Sequence, residues 1–107
     1  MRETEIKVRV NLDANNLPEK IQWHAQDASR ESFCKSIMLA LWDEKENNTL
    51  RIDLWTKEMS IEEMKKFYIQ NILTLTDTYL KATADEPTAF AVRDFVTEVG
   101  KKNGTII

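Results

Sequence analysis

The side chains that could carry out chemistry in this sequence are few and widely spaced. The 107 residues include one histidine, His24, and one cysteine, Cys34. Such a pair can act as base and nucleophile, but no H-x-x-x-H or C-x-x-C spacing is present to hold a transition metal. We interpret His24 as an exposed sheet histidine and Cys34 as a half-buried structural thiol, and we predict no catalytic residue and no metal site.

The acidic groups also lack the arrangement of an active site. Asp13 and Asn15 have the spacing of a calcium loop, but the glycine and the final glutamate of such a loop are missing. An Asx-stabilised turn is the better interpretation. Glu63 belongs to a helix start, and both glycines, Gly100 and Gly104, lie near the C-terminus, so no glycine-rich loop is available for phosphate. We therefore predict no cofactor and no enzymatic activity.

Charge and hydropathy limit the partners and the compartment. The net charge is −3, and no basic run exceeds two residues, so nucleic acid is not an expected partner. The N-terminus MRETEIKVRV has no apolar signal core, and no long apolar run predicts membrane insertion. A single cysteine fits a reducing compartment. We expect a cytoplasmic protein that forms one globular α+β domain over residues 1–107.

Alternating polar and apolar residues predict strands. TEIKVRVNL (4–12) and EKIQWHAQ (19–26) form a first hairpin around a turn rich in Asp, Asn and Pro. TLRIDLWT (49–56) is a clear strand. SIMLALW (36–42) fits a strand or a helix, and we favour a strand that pairs with 49–56, because the polar loop DEKENN joins them.

Two helices follow the strands. Ser60 and Glu63 form a capping box, and an apolar stripe then runs to Ala84; its members are Ile61, Met64, Tyr68, Ile69, Ile72, Leu75, Tyr79 and Leu80. Asp85-Glu86-Pro87 starts the last helix, whose apolar residues are Ala91, Val92, Phe95, Val96 and Val99. The predicted fold is two-layer α+β: a four-stranded antiparallel sheet of two hairpins, followed by two C-terminal helices packed on one face.

The second face of the sheet carries an unusual set of side chains. In the second hairpin, Met38 and Trp42 share that face with Arg51, Asp53 and Trp55. Two indoles and a methionine exceed the apolar patch that monomers ordinarily expose, so we predict an interaction site formed by these five residues. The alternative is a solvated face on which the indoles lie beneath Arg, Lys and Gln stems, with Arg51 stacked over a ring.

The block WDEKENNTLRIDLWTKEM (42–59) closely resembles the W-D-x-K-x-x-N-T-L-R-I-D-L-W-T-K-x-M block of the gliding motility-associated protein GldC family. EIKVRVNLDANNLPEKIQWHAQD (5–27) and Arg93-Asp94-Phe95 are similar to that family as well. The resemblance implies a small accessory protein of the bacterial surface-gliding apparatus, without known enzymatic chemistry and without catalytic residues to carry over.

Three functional hypotheses follow. The first is a cytoplasmic interaction protein that docks on proteins of the gliding machinery through the tryptophan-bearing face and that also self-associates as a homo-oligomer. The second is a chaperone-like or ligand-binding module with a groove between sheet and helices, suggested by Met38, Met59 and Met64 and by the strand-helix order of the SecB fold. The third is an enzyme, which would need a pocket that brings His24 and Cys34 together.

Overall fold

The computed structural model describes residues 2–26 and 30–107. Across these residues the chain forms five strands and then two helices. Their bounds are β1 Ile6–Leu12, β2 Pro18–Ala25, β3 Arg30–Cys34, β4 Ser36–Asp43, β5 Asn48–Trp55, α1 Ile61–Thr83 and α2 Glu86–Lys102. The strands belong to one compact unit, residues 1–59, and the helices to a second, residues 60–107. The single domain over residues 1–107 stays a prediction.

The first predicted hairpin is present as β1 and β2. Val8 lies opposite Trp23, and Val10 lies opposite Ile21. Since side chains alternate between the faces of a sheet, this register places the apolar residues of both strands on one face. Ile21 is fully buried.

The turn between β1 and β2 is held by a side chain. Asp13 Oδ1 accepts hydrogen bonds from the backbone N–H groups of Asn15 at 2.8 Å and Leu17 at 3.0 Å. Asn16 has a φ of 61°, a left-handed conformation that asparagine tolerates better than most residues. The predicted Asx turn is confirmed.

One strand, β3, was not predicted from the sequence. It pairs antiparallel with β2, so that Cys34 lies opposite Ile21 and Phe33 opposite Gln22. Residues 28–35 look polar and without a clear period, but strand pairing is made by main-chain groups and needs no apolar pattern. β3 forms because the edge of β2 offers main-chain groups for it to pair with, and the sequence pattern does not show this.

The apolar segment that suited either a strand or a helix is a strand, β4. It pairs with β5 along its whole length, from Ser36 opposite Trp55 to Asp43 opposite Asn48. The Thr56 N–H donates to the Lys35 carbonyl at 2.8 Å and extends the ladder past the last pair. A helix at this position would leave β5 without a hydrogen-bonding partner.

The fold class is α+β, as predicted, and both predicted hairpins are present. The strand count and sheet arrangement need correction: the described strands form a three-stranded sheet, β1-β2-β3, and a two-stranded sheet, β4-β5, instead of one four-stranded sheet. The chain bends at Lys35, between β3 and β4, and this bend separates the two ladders. The packing of both helices on one sheet face stays a prediction.

The capping box at the start of α1 is confirmed in both directions. The Glu63 N–H donates to Ser60 Oγ at 3.0 Å, and the Ser60 N–H donates to Glu63 Oε1 at 2.9 Å. These two bonds satisfy two donors that a helix start would otherwise leave without partners. The helix therefore begins where its local sequence requires.

The link between the helices is short and sharply turned. Ala84 caps α1 with a φ of 58° and donates its N–H to the Leu80 carbonyl at 2.8 Å. Asp85 then caps α2 by accepting from the Thr88 N–H at 3.2 Å, and Pro87 lies in the first turn. The predicted stop and new start are confirmed.

The helix pair packs through smaller residues than the predicted stripes suggest. Ile69 and Thr76 of α1, together with Ala89, Val96 and Gly100 of α2, are buried. A Cβ added at Gly100 would lie 2.5 Å from Ile106 Cδ1, so a larger residue here would force the Ile106 side chain to move. Several larger stripe members remain exposed; they are Ile61 at 75%, Tyr68 at 52%, Leu75 at 62% and Phe95 at 71%.

Replacing Ala84 with glycine should stabilise the helical unit. A left-handed residue with a Cβ pays a steric cost of about 1–2 kcal/mol, which exceeds the extra chain entropy of glycine. We expect Ala84→Gly to raise the free energy of unfolding by up to about 1 kcal/mol. Thermal unfolding followed by circular dichroism at 222 nm measures this change, since the described helices lie in residues 60–107.

The matched control is Ala82→Gly, two residues earlier in α1. There the backbone is helical, so glycine should lower the stability by about 1 kcal/mol. Equal destabilisation by both substitutions would contradict the role assigned to Ala84.

Candidate interaction site

The two residues most capable of catalysis are not brought together. On β2, His24 lies opposite Glu31, whereas Cys34 of β3 lies opposite Ile21. Three positions along the ladder separate them, about 10 Å, and the odd number places their side chains on opposite faces of the sheet. Burial also raises the pKa of the Cys34 thiol, which disfavours the reactive thiolate. A Cys34–His24 nucleophile and base pair is thereby excluded.

The carboxylates do not form a metal centre in the described part of the chain, where no three His, Cys, Asp or Glu side chains converge. Asp13, the residue with a faint calcium-loop spacing, has a cationic partner instead. Its Oδ2 lies 2.5 Å from Lys57 Nζ. The carboxylate therefore holds a lysine.

The face that carries the predicted interaction site is created by the β4-β5 register. Met38 lies opposite Asp53, Ala40 opposite Arg51, Trp42 opposite Thr49 and Ser36 opposite Trp55. We call the side chains of these eight residues the Trp face. All five predicted site residues, Met38, Trp42, Arg51, Asp53 and Trp55, lie on it. Their role in binding stays a prediction.

The two tryptophans are exposed and far apart. Trp42 is 68% exposed, and Trp55 is 59% exposed. Trp55 belongs to the pair at the base of the hairpin and Trp42 to the last pair but one before its tip, which separates them by about 20 Å along the strands. The structure places one indole toward each end of the Trp face.

Arg51 and Asp53 lie between the two rings and bind each other. Arg51 Nη2 donates to Asp53 Oδ1 at 2.9 Å, and Arg51 Nε donates to Asp53 Oδ2 at 3.0 Å. This two-pronged bond lowers the pKa of the Asp53 carboxyl and raises the pKa of Arg51. The guanidinium is thus held by a carboxylate and not by an indole, contrary to the stacked alternative.

On the opposite face of the same hairpin, three successive cross-strand pairs are aliphatic. Ile37 lies opposite Leu54, Leu39 opposite Ile52 and Leu41 opposite Leu50. Alternation in the two strands predicts that these six residues share one half-buried face. The structure leaves part of this face accessible, with exposures of 38% for Leu39, 51% for Leu41, 47% for Leu50 and 52% for Ile52.

A groove beside Trp55 was not foreseen. It has a volume of about 300 Å³, and its lining residues are Leu17, Pro18, Asp53, Leu54, Trp55 and Lys57. Leu17 and Pro18 come from the β1-β2 turn, which the sequence marks only as a turn. The only hint in the sequence is that Leu17 and Pro18 are apolar residues within a polar turn. Nothing in the sequence indicates that they lie beside Trp55.

The Asp13–Lys57 ion pair ties this turn to the segment after β5. Lys57, with help from the Leu17 and Asn15 N–H groups, lowers the pKa of the Asp13 carboxyl from its ordinary 3.8 to about 2. The same contact raises the pKa of Lys57. The pair therefore links the β1-β2 turn, which contributes Leu17 and Pro18 to the groove, to the segment that follows Trp55.

Comparison with known proteins identifies the family. A family model described as gliding motility-associated protein GldC-like matches residues 18–105. The chain belongs to the GldC-like family. No curated protein and no solved structure matches it.

The GldC-like match extends the resemblance seen in the sequence. It includes the block at 42–59 and residues 18–27, and it also covers residues 28–37 and 96–105; residues 5–17 of the first similar block lie outside it. The Trp face lies wholly inside the matched range. Within the residues described, neither helix of this GldC-like chain is long and apolar enough to cross a membrane.

Removing the charge of Asp13 should make the sheet unit less stable and less sensitive to acid. Because its pKa is lowered in the folded state, Asp13 contributes stability that is complete above about pH 4 and is lost as the pH falls toward about 2. Asp13→Asn keeps the oxygen that caps the turn but loses this contribution. The difference in urea midpoint between wild type and variant should shrink across that pH range.

Tryptophan fluorescence is the suitable probe, since Trp23, Trp42 and Trp55 all lie in residues 1–59. Glu44→Gln, in the loop after β4, is the matched control and should leave the midpoint nearly unchanged. A difference between Asp13→Asn and wild type that is constant with pH would contradict the ion pair.

Proposed function

We propose that this protein is a non-catalytic cytoplasmic accessory protein of the bacterial gliding apparatus. It docks on a protein of the gliding machinery through the Trp face, and it self-associates. The observation that carries the proposal is the exposure of two indoles on one face of a single hairpin. Membership of the GldC-like family supplies the cellular process.

The exposed rings offer enough apolar surface to anchor a partner. At the observed exposures, each indole can remove roughly 100–150 Å² from water, worth roughly 2–4 kcal/mol before the costs of association. Association costs several kcal/mol, so each ring offsets only part of that cost and the two rings together offset more of it. Tryptophan and arginine are among the residues most enriched in binding hot spots.

The spacing of the rings restricts the partner. A surface that covers both Trp42 and Trp55 must extend at least about 20 Å along the hairpin. It must also accommodate the Arg51–Asp53 pair between them, either by accepting hydrogen bonds from the guanidinium or by leaving the pair hydrated. Such a charged centre sets the register of docking more than its strength.

Two further observations support the non-catalytic and cytoplasmic parts of the proposal. The register of β2 and β3 puts His24 and Cys34 on opposite faces, which removes the nucleophile and base pair that the residue types suggested. Cys34 is a free, half-buried thiol, as is usual for proteins of a reducing compartment.

Replacing the tryptophans should abolish docking without unfolding the chain. In affinity capture from cells of a gliding bacterium that makes this protein, we expect Trp42→Ser and Trp55→Ser each to weaken recovery of a defined partner at least tenfold. The double variant should recover none. Because the rings are far apart, the two effects should be nearly additive in free energy.

Phe33→Ser is the matched control, since Phe33 is a similarly exposed aromatic, at 64%, on the other sheet. It should capture the partner as well as wild type does. Unchanged capture by the double variant, with an intact circular dichroism spectrum, would overturn the proposal. Tryptophan-independent capture of many unrelated unfolded chains would favour the chaperone alternative.

A further inference from the structure

The outer edge of β5 presents main-chain groups that have no strand beside them within the described residues. β5 pairs with β4 on one edge only. The bond from the Thr56 N–H to the Lys35 carbonyl sets the phase of that ladder. Because hydrogen-bonded pairs alternate along antiparallel strands, Leu50, Ile52 and Leu54 direct their main-chain groups toward β4.

The intervening residues of β5 direct their main-chain N–H and C=O groups outward. They are Thr49, Arg51, Asp53 and Trp55, whose side chains all lie on the Trp face. The Ser36 Oγ, which donates to the Leu54 carbonyl at 3.1 Å, supports this phase because it places that carbonyl on the β4 side. Along the outer edge, therefore, every second residue of β5 offers its main-chain N–H and C=O groups for pairing.

We propose that two copies of this chain pair through their β5 edges, antiparallel, about a two-fold axis at Ile52. In this register Ile52 lies opposite Ile52 of the second copy, and Arg51 lies opposite Asp53 of the second copy. Leu50 lies opposite Leu54 of the second copy, and Thr49 lies opposite its Trp55. The two hairpins then form one four-stranded sheet. This inference deepens the self-association in the proposed function and rests on it.

The charges of β5 make the edge complementary to itself. At the proposed register each Arg51, which also binds Asp53 of its own strand, faces Asp53 of the second copy, and the symmetry makes this contact twice. Moving the axis to Arg51 would place two guanidiniums opposite each other, and moving it to Asp53 would place two carboxylates opposite each other. Opposite charges directly across a ladder are favourable and like charges are unfavourable, so the sequence selects the register centred on Ile52.

The main-chain geometry agrees with the same register. It sets outward-facing residues opposite outward-facing residues, so that the Arg51–Asp53 and Thr49–Trp55 pairs each exchange two hydrogen bonds across the axis. Ile52 then forms the closer, non-hydrogen-bonded pair. A shift of the axis to a point between two residues would set outward groups against inward ones and would lose these bonds.

The edge carries few of the features that prevent strand pairing. Natural edge strands are commonly protected by lysine, proline or a bulge. NTLRIDLW, the sequence of β5, has neither lysine nor proline, and its pairing with β4 is regular from Asn48 to Trp55. Its two charges are the pair that the proposed symmetry matches.

Pairing would also enlarge the surfaces of both faces. The exposed aliphatic residues Leu50 and Ile52 would join their equivalents in a continuous apolar strip, and cross-strand contacts of this kind stabilise a ladder. The Trp face would double, with two indoles from each copy.

Charge exchange tests the register. By sedimentation equilibrium, wild type should be a dimer. Arg51→Asp alone and Asp53→Arg alone should each raise the dimer dissociation constant roughly ten- to a hundredfold, because like charges then face each other twice. The double variant, Arg51→Asp with Asp53→Arg, restores the opposite pairs and should dimerise like wild type. An equimolar mixture of the two single variants should form heterodimers.

Cysteine cross-linking tests the axis in a Cys34→Ser background. Ile52→Cys should form an intermolecular disulfide under mild oxidation, since a non-hydrogen-bonded pair brings Cα atoms to about 4.5 Å. Leu50→Cys, on the same strand and face, is the control. Its equivalent would lie about 13 Å away along the ladder, so it should remain reduced.

A monomeric wild type, or a dimer that is indifferent to the charge exchanges and does not cross-link through Ile52→Cys, would overturn the inference. Partner capture by the tryptophan variants is a separate readout. Loss of the partner with an intact dimer would leave this interface in place. A monomer that still captures its partner through the indoles would remove the interface and keep the proposed docking.

Discussion

The antiparallel register of β4 and β5 is the constraint on which the rest of the sheet unit's surface depends. Side chains in a strand alternate with a period of two, so a slip of one residue would exchange the indoles for leucines. The Thr56 N–H bond to the Lys35 carbonyl and the Ser36 hydroxyl bond to the Leu54 carbonyl both oppose such a slip. Thr56 is itself buried. The Trp face, the aliphatic face and the outer edge all follow from this one alignment.

The two ends of the Trp face are supported differently. Trp55 lies at the base of the hairpin, beside Leu17 and Pro18, where Asp13 and Lys57 hold the neighbouring turn. Trp42 lies near the tip, where the loop is shaped by Asp43 Oδ2, which accepts from the Glu46 N–H at 2.7 Å. Trp55 therefore shares a groove with residues of the β1-β2 turn, whereas Trp42 adjoins the hairpin loop.

The helical unit illustrates a different balance between local and tertiary effects. Its boundaries follow from short motifs, namely the Ser60 and Glu63 capping box and the Asp85 cap with its following proline. Its contact surface does not, because the helices approach through Thr76, Ala89 and Gly100, which sequence patterns rank below large apolar residues. Close approach of two helix backbones favours small side chains. When the apolar stripe of a helix is wider than the surface of the helix it packs on, some of its large residues stay exposed.

The sequence by itself determined the features that arise within a few residues: four of the five strands, the Asx turn, the helix boundaries, the fold class and the shared face of Met38, Trp42, Arg51, Asp53 and Trp55. Alternation, capping and turn chemistry are local, and they leave a pattern that can be read. Only the tertiary structure decided the existence of β3, the separation into two sheets at Lys35, the distance between the indoles, the groove at Leu17 and Pro18, and the residues that join the helices. Those features depend on main-chain hydrogen bonds and on contacts between distant residues, and neither leaves a periodic signal in the sequence.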